Sequence, residues 1–193
     1  MKRIIKILII LTITVAVIVI YLSIYGIKTE KFNNEIKKNV SKINKNINLS
    51  LNEVNYLLNP LNFSINISAK NPKILLEDKS LDLSDITTNI SLKSFINNQF
   101  SIDDLKISTK EIQIKDLISL TRKVKGSPQL FILDSITKAG LISANINLTF
   151  DLDGEIKKDY QINGTIKKAK FNIFNQAEIE NLDLSFDISK NQL

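Results

Sequence analysis

One stretch near the N-terminus limits what this chain can be. Residues Ile7 to Ile27 are 21 consecutive positions without a charged side chain, ILIILTITVAVIVIYLSIYGI. At about 1.5 Å per residue, a helix of this length measures about 31 Å, close to the ~30 Å hydrocarbon core of a bilayer. β-Branched residues favour strands in water, but a lone segment in lipid must satisfy its own backbone hydrogen bonds and is therefore helical. The stretch predicts a transmembrane helix.

A cleaved signal peptide is the alternative for this stretch. The apolar run exceeds the ~7–15 residues of a signal-peptide core, and no small-residue cleavage site follows it. Tyr21 and Tyr25 lie near its distal end, where aromatic side chains prefer the headgroup region. We therefore favour an uncleaved signal anchor over residues 7–27.

Charges at the two flanks predict the orientation of the anchor. Lys2, Arg3 and Lys6 form a basic tail over residues 1–6, and basic residues tend to stay on the cytoplasmic side. Two lysines after the span weaken this asymmetry, but Glu30 lies between them, and long domains are translocated largely regardless of charge. We expect a single-pass inner-membrane protein with a cytoplasmic N-terminus and its main body in the periplasm.

Composition excludes most catalytic and metal chemistry. The chain has no Cys and no His, which removes disulfides, thiolate nucleophiles, imidazole bases and the metal sites that need those ligands. A Cys-free body in an oxidising compartment fits a bacterial periplasmic protein. The net charge of +6 is scattered among acidic residues without interleaved aromatics, which disfavours nucleic-acid binding. We expect a protein that is not an enzyme and has no metal or cofactor.

Two acidic segments have ordinary explanations. The segment DLDGE, Asp151 to Glu155, superficially resembles a calcium loop. Such a loop needs a third ligand before its glycine and a glutamate at position twelve, which here is Ile162; a hairpin turn explains the same residues. Asp103 and Asp104, as neighbours on a strand, would point to opposite faces and cannot form an acid–base pair without a bend.

Residues 28–46 predict an amphipathic helical linker. Phe32, Ile36, Val40 and Ile43 recur at steps of three or four, which places them on one helical face opposite Lys and Asn. The apolar side of this helix either packs against the first strands or lies on the membrane surface.

From Ile47 onward the apolar period is two, which is typical of strands with one buried face. The predicted strands are 47–51, 61–69, 74–76, 81–86, 90–96, 100–107, 111–114, 142–152, 160–173 and 182–188. Helical spacing returns at 114–125 and at 129–138, where Pro128 lies in the first turn and Gly140 just past the end. Asn163-Gly164 is either a second hairpin turn or a bulge within one long strand, and we favour the bulge.

The predicted fold is α+β, mainly β. An N-terminal transmembrane helix precedes a curved, largely antiparallel β-sheet, shaped as a groove, with two or three short helices. A sheet with one apolar face must cover it with helices, a second sheet or a ligand. Because the helices are few, two arrangements remain equally open: acyl chains form the missing layer, or the chain closes into a sandwich or a small α+β core. The last strand has no turn or cap before Leu193, so we expect the domain of residues 47–193 to continue in a longer protein.

This order of features resembles the N-terminal part of the AsmA-like family, which includes TamB and YhdP. Like the members of that family, this chain combines an N-terminal anchor, an early strand-rich segment (residues 47–114), a short helical interruption and long strands punctuated by Asn and Asp. The segment LISANINLTFDLDGEIKKDYQINGTIKKAKFNIF, residues 141–174, most resembles the family's repeated hairpins with their Y-x-I-x-G strands. Family members run to many hundreds of residues, so the resemblance implies a fragment or a short adaptor.

The resemblance implies a function in outer-membrane biogenesis, in which an apolar β-groove conducts phospholipid between the two membranes. The implied partners are phospholipid acyl chains, the inner membrane and other envelope proteins. The implied lipid-binding residues are Phe63, Ile65, Ile67, Ile146, Leu148, Phe150, Leu152, Tyr160, Ile162, Leu184 and Phe186. The alternatives are a membrane-anchored adaptor resembling the lipopolysaccharide-transport component LptC, and a structural periplasmic scaffold with a closed core.

Overall fold

The computed structural model is mainly β, with one apolar N-terminal helix, one open antiparallel sheet and a few short helices. This architecture agrees with the predicted mainly-β class. The structure describes residues 2–31, 33–34, 36–38, 47–76, 79–97, 99, 101–124, 127–157, 159–173 and 177–189.

The N-terminal helix α1 spans Lys2–Ile24. Its residues 3–24 are long and apolar enough to cross a membrane, and the described residues bury none of this apolar segment. The hydroxyls of Thr12, Thr14 and Ser23 each donate to the carbonyl oxygen four residues earlier, at 2.7–2.9 Å. Because these three hydroxyls are hydrogen-bonded within the helix, they need no water partner, which suits the interior of a bilayer.

All the strands that the structure describes belong to one sheet, and each pairing is antiparallel. The strands are β1 Ile27–Thr29, β2 Ile47–Ser50, β3 Val54–Asn59, β4 Ser64–Lys70, β5 Lys73–Leu76, β6 Lys79–Ser91, β7 Ile102–Thr109, β8 Ile112–Gln113, β9 Thr137–Thr149, β10 Gln161–Ile173 and β11 Ala177–Ser189. The main order is β1-β3-β4-β6-β7-β9-β10-β11. Strand β5 pairs with β2 and β6, and β8 pairs with β9.

Three short helices lie between strands: α2 Leu92–Ile96, α3 Ile114–Val124 and α4 Pro128–Ile136. Serine side chains cap α2 and α4, because Ser91 accepts a hydrogen bond from the Ser94 N–H and Ser127 accepts one from the Leu130 N–H. Residues 33–34 and 36–38 are also helical. The predicted linker helix, residues 28–46, is wrong at Lys28 and Thr29, which pair with β3 as part of β1. Its residues 32, 35 and 39–46 lie outside the described residues.

Most of the buried apolar residues that the structure describes form two separate clusters. The first comprises Leu49, Leu51, Val54 and Ala69, with Ile36 packed against it. The second comprises Ile114, Ile118, Ile142 and Ala169. In the second cluster, α3 packs onto β9 and β10. The core is therefore divided between two patches of the sheet, each small.

Several strand ends differ from the prediction. The predicted strand 90–96 is wrong after Ser91, because the Ser91 hydroxyl caps α2 and so ends β6. The predicted strand 81–86 is part of the 13-residue β6. Strand β9 begins at Thr137 rather than residue 142, so Gly140 lies within a strand instead of following a helix. Strand β9 ends at Thr149, before the predicted end at residue 152.

The long strand predicted around Asn163-Gly164 is confirmed. Strand β10 runs without interruption through Gly164, which pairs with Ala144 on one side and Phe186 on the other. The irregularity lies later, between Ile166 and Phe171, where Lys168 has a φ of 50°. The bulge is therefore at Lys167 and Lys168 instead of at Gly164.

Candidate functional site

The antiparallel register aligns one apolar row across seven strands of the sheet. Residues directly opposite each other on paired strands project to the same face. The row consists of Val54, Ala69, Ile86, Ile107, Ile146, Ile162 and Ile188, in the order of the strands that carry them. At about 4.8 Å per strand interval, it is about 29 Å long. The row defines what we call the apolar face.

The described residues seal only part of the apolar face. Of the row, Val54 and Ala69 are buried by the first cluster. The residues in the middle are half-buried, and Ile188 at the β11 edge is 45% exposed. Helix α3 covers Ile142, which lies on the same face further along β9. Between the two clusters, the sheet presents apolar side chains that are partly open to solvent.

A cavity of about 300 Å³ opens on the apolar face beside the first cluster. Its lining residues are Ile36, Leu49, Leu51, Val54, Ile67, Ala69, Ile86, Thr88, Ile90 and Ile102. Thr88 carries the one polar side chain among these described residues, and its hydroxyl donates to the Asp104 carbonyl oxygen at 2.6 Å. The cavity therefore offers no free polar side chain among these lining residues. Its volume lies at the lower end of the range for small-molecule sites, ~300–1,000 Å³.

Seven of the predicted lipid-binding residues lie on the strands of this face. By the register they share it with the apolar row. They are Ile65 and Ile67 on β4, Ile146 and Leu148 on β9, Ile162 on β10, and Leu184 and Phe186 on β11. Sequence alternation thus assigned these seven side chains to one side before any pairing was known.

The other four predicted residues lie outside the strands. Phe63 is in the turn before β4, with a φ of 47° and 52% exposure. Phe150 forms an isolated bridge with Ile156, and Leu152 lies in the following turn, 57% exposed. Tyr160 immediately precedes β10 and is half-buried. The predicted strands extended into turns at these points because apolar residues in turns continued the alternation.

Several residues of the apolar face were absent from the predicted site. Five of them complete the row, and Ile36 and Leu49 line the cavity. The five are Val54, Ala69, Ile86, Ile107 and Ile188. Each strand residue among them belongs to an alternating segment, so the signal was present in the sequence. The missing information was which strands are neighbours.

The opposite face of the sheet is polar and hydrogen-bonded across strands. The Asn66 amide donates to the Asn89 side-chain oxygen at 2.9 Å, and the Asn89 amide donates to both carboxylate oxygens of Asp104, at 3.0 and 2.8 Å. Further along, the Ser143 and Thr165 hydroxyls are 3.0 Å apart. The sheet is therefore polar on one side and apolar on the other.

The acidic segments have structural roles. The Asp151 carboxylate accepts hydrogen bonds from the N–H groups of Asp153 and Glu155, at 3.0 and 2.9 Å, as in a hairpin turn. Partial burial raises the pKa of Asp103, and the neighbouring Asp104 raises it further, whereas Lys157 lowers it. The part of the chain that the structure describes holds no group of three or more acidic side chains placed to bind a metal ion.

Comparison with known proteins yields no relative. No protein-family model, curated protein or solved structure matches the chain. The apolar face, the cavity and the N-terminal helix are therefore the features that indicate a function.

Proposed function

We propose that this chain is an inner-membrane-anchored periplasmic protein whose apolar face binds phospholipid acyl chains and helps conduct them toward the outer membrane. The observation that carries the proposal is the row of seven paired apolar residues, of which only the Val54 and Ala69 end is buried by the described residues.

Leaving part of the apolar face in water costs free energy. Each square ångström of exposed apolar surface is unfavourable by about 25 cal/mol, and an extended apolar surface usually marks a binding site. The row of the apolar face is about 29 Å long, so it offers an acyl chain a continuous apolar surface to lie along. An acyl chain needs no hydrogen-bond partner, and the hydroxyl of Thr88, the polar group in the cavity lining, is bonded to backbone.

The anchor supports a lipid ligand over other apolar ligands. Helix α1 leads directly into β1, and β1 pairs with β3 at the edge of the same sheet. A sheet connected this closely to a bilayer has phospholipid as its most abundant apolar neighbour. The basic residues in the first turns of α1, Arg3 and Lys6 among them, support a cytoplasmic N-terminus, which leaves the sheet on the periplasmic side.

Site-specific crosslinking tests the proposal. With a photoactivatable phospholipid in native membranes, the wild-type chain should form a lipid adduct, and Ile146→Asp should lose most of it, because a carboxylate is costly beside an acyl chain. The matched control is Asn145→Asp, which adds the same charge one residue away on the polar face and should retain the adduct. Circular dichroism of each purified variant checks that the sheet remains folded.

Lipid extraction from the detergent-purified protein separates the alternatives. Copurifying phospholipid that decreases in Ile146→Asp and remains in Asn145→Asp supports the proposal. Lipopolysaccharide in its place would favour an adaptor of the LptC type. A complete absence of lipid, together with unfolding of Ile146→Asp, would indicate a closed-core scaffold and overturn the proposal.

A further inference from the structure

The position of α1 identifies which end of the sheet faces the membrane. Strand β1 is antiparallel to β3, with Thr29 opposite Val54 and Ile27 opposite Tyr56. Moving back from β1 into α1, the chain therefore runs toward the C-terminal end of β3. Ser23 of α1 lines a surface depression together with residues 57–61 and with Asn66 and Asn89 of the polar face. The helix thus leaves the sheet beside the turn that joins β3 to β4.

The connection between α1 and the sheet is fixed closely in place. Gly26 has a φ of 68°, and a Cβ atom there would lie 2.5 Å from the Tyr56 carbonyl oxygen. The chain can approach β3 this closely because residue 26 lacks a side chain. The direction in which α1 leaves the sheet is consequently set by backbone packing at its end.

The same end of the sheet carries four exposed apolar side chains, which we call the membrane-end patch. Its members are Leu61, 96% exposed, and Phe63, 52%, in the β3–β4 turn, with Phe95, 65%, and Ile96, 67%, in α2. The turn and α2 are joined where the Leu92 N–H donates to the Phe63 carbonyl oxygen at 3.0 Å.

We infer that the membrane-end patch inserts into the same bilayer leaflet in which α1 ends. The patch is continuous with the end of α1, because residues 57–61 lie beside Ser23. Ser23 lies between Tyr21 and Tyr25 in the chain, and the rings of these two tyrosines are 5.3 Å apart. Tyrosines at the end of a membrane span mark the headgroup level. The patch therefore lies at the depth where apolar side chains leave water.

Charge distinguishes this patch from the neighbouring β9–β10 turn. That turn also exposes Leu152 and Ile156. Its residues 151–159, however, hold four carboxylates against two lysines, and a net negative charge opposes insertion into an anionic surface. Within α2 the charged residue is Lys93, whose long side chain extends its ammonium to the headgroups. The inference requires α1 to span the bilayer, but it does not depend on lipid binding by the apolar face.

The chain has no native cysteine, so single thiols report position directly. We would place Leu61→Cys and Phe95→Cys in the full-length protein, attach an environment-sensitive fluorophore, and reconstitute each variant in vesicles of phosphatidylethanolamine and phosphatidylglycerol. The matched control is Phe131→Cys: Phe131 is also an exposed phenylalanine on a short helix, 61% exposed, at the other end of the sheet.

The expected result is a blue-shifted emission at positions 61 and 95, with strong quenching by lipid-borne nitroxides and several-fold weaker quenching by aqueous iodide than at position 131. Emission at position 61 and 95 that matches the control would overturn the inference. Protection from both quenchers would also overturn it, because it would mean that protein rather than lipid covers the patch. Equal melting curves for the three variants exclude misfolding as the cause.

Discussion

Gly140 sets how closely helix α3 approaches the sheet. It lies in β9 with a φ of 137°, and a Cβ atom there would be 2.6 Å from Ile114 Cδ1 and 3.0 Å from Ala169 Cα. Both neighbours belong to the second buried cluster. A residue with a side chain would meet a strained backbone conformation and a crowded cluster at the same position.

We therefore expect Gly140→Ala to lower the free energy of unfolding by about 1–3 kcal/mol. The measurement is urea unfolding of the detergent-purified chain, followed by circular dichroism. Ala139→Ser, at the exposed preceding residue, is the control and should change stability by less than about 0.5 kcal/mol. Equal stabilities of the two variants would show that α3 does not depend on a glycine at this position.

At the scale of whole elements, the polar face ties together strands that are distant in sequence. Asn89 on β6 bonds to Asn66 on β4 and to Asp104 on β7. These hydrogen bonds fix the alignment of three adjacent strands on the polar face, opposite the apolar face. A slip of one residue in β6 would reverse its faces and break every one of these bonds.

Asn89→Ala should lower the free energy of unfolding by about 1–3 kcal/mol, because it leaves Asp104 and Asn66 without their shared partner. Thermal and urea unfolding of the purified chain measure this loss. Asn145→Ala is the comparison: Asn145 is exposed and makes a 3.3 Å bond to Asn163, so its loss should cost less than about 0.5 kcal/mol. If Asn89→Ala lowers the free energy of unfolding no more than Asn145→Ala does, the hydrogen bonds of Asn89 do not hold the strand register.

At the scale of the whole molecule, a short connection joins α1 to the sheet. Helix α1 ends at Ile24, and β1 begins three residues later at Ile27. In the proposed arrangement, with α1 across the bilayer, this connection keeps the apolar face and the membrane-end patch close to the membrane surface.

Thiol labelling in intact cells tests the proposed orientation. Asp153→Cys, in the exposed β9–β10 turn, should react with a membrane-impermeant maleimide added outside the inner membrane, because the sheet is proposed to be periplasmic. A cysteine added ahead of Met1 should react only after the inner membrane is opened. The reverse pattern would place the sheet in the cytoplasm and remove the basis for transport toward the outer membrane.

Particular elements show how far the sequence could predict this fold. The charge-free run of Ile7 to Ile27 forms α1 as far as Ile24, whereas Ile27 begins β1, and the apolar residues of β4 and β9 alternate as predicted. The short helix α2 was missed, because its apolar residues continue the strand pattern and only the Ser91 cap marks the change. The candidate site was predicted only in part. The alternation identified Ile146, but its partner Ile107 follows from the pairing of β7 with β9.

The chain's own sequence determined the local preferences: a lipid-soluble helix, strands with one apolar and one polar side, and serine-capped short helices. These follow from side chains within a few positions of one another. Only the tertiary structure decided strand order and register, because pairs such as Ile27 with Tyr56, or Asp104 with Thr149, join residues far apart in the chain. Those long-range pairs align the isoleucines into one row and place the membrane-end patch beside α1. Local patterning makes a face apolar, and the long-range packing leaves part of it uncovered.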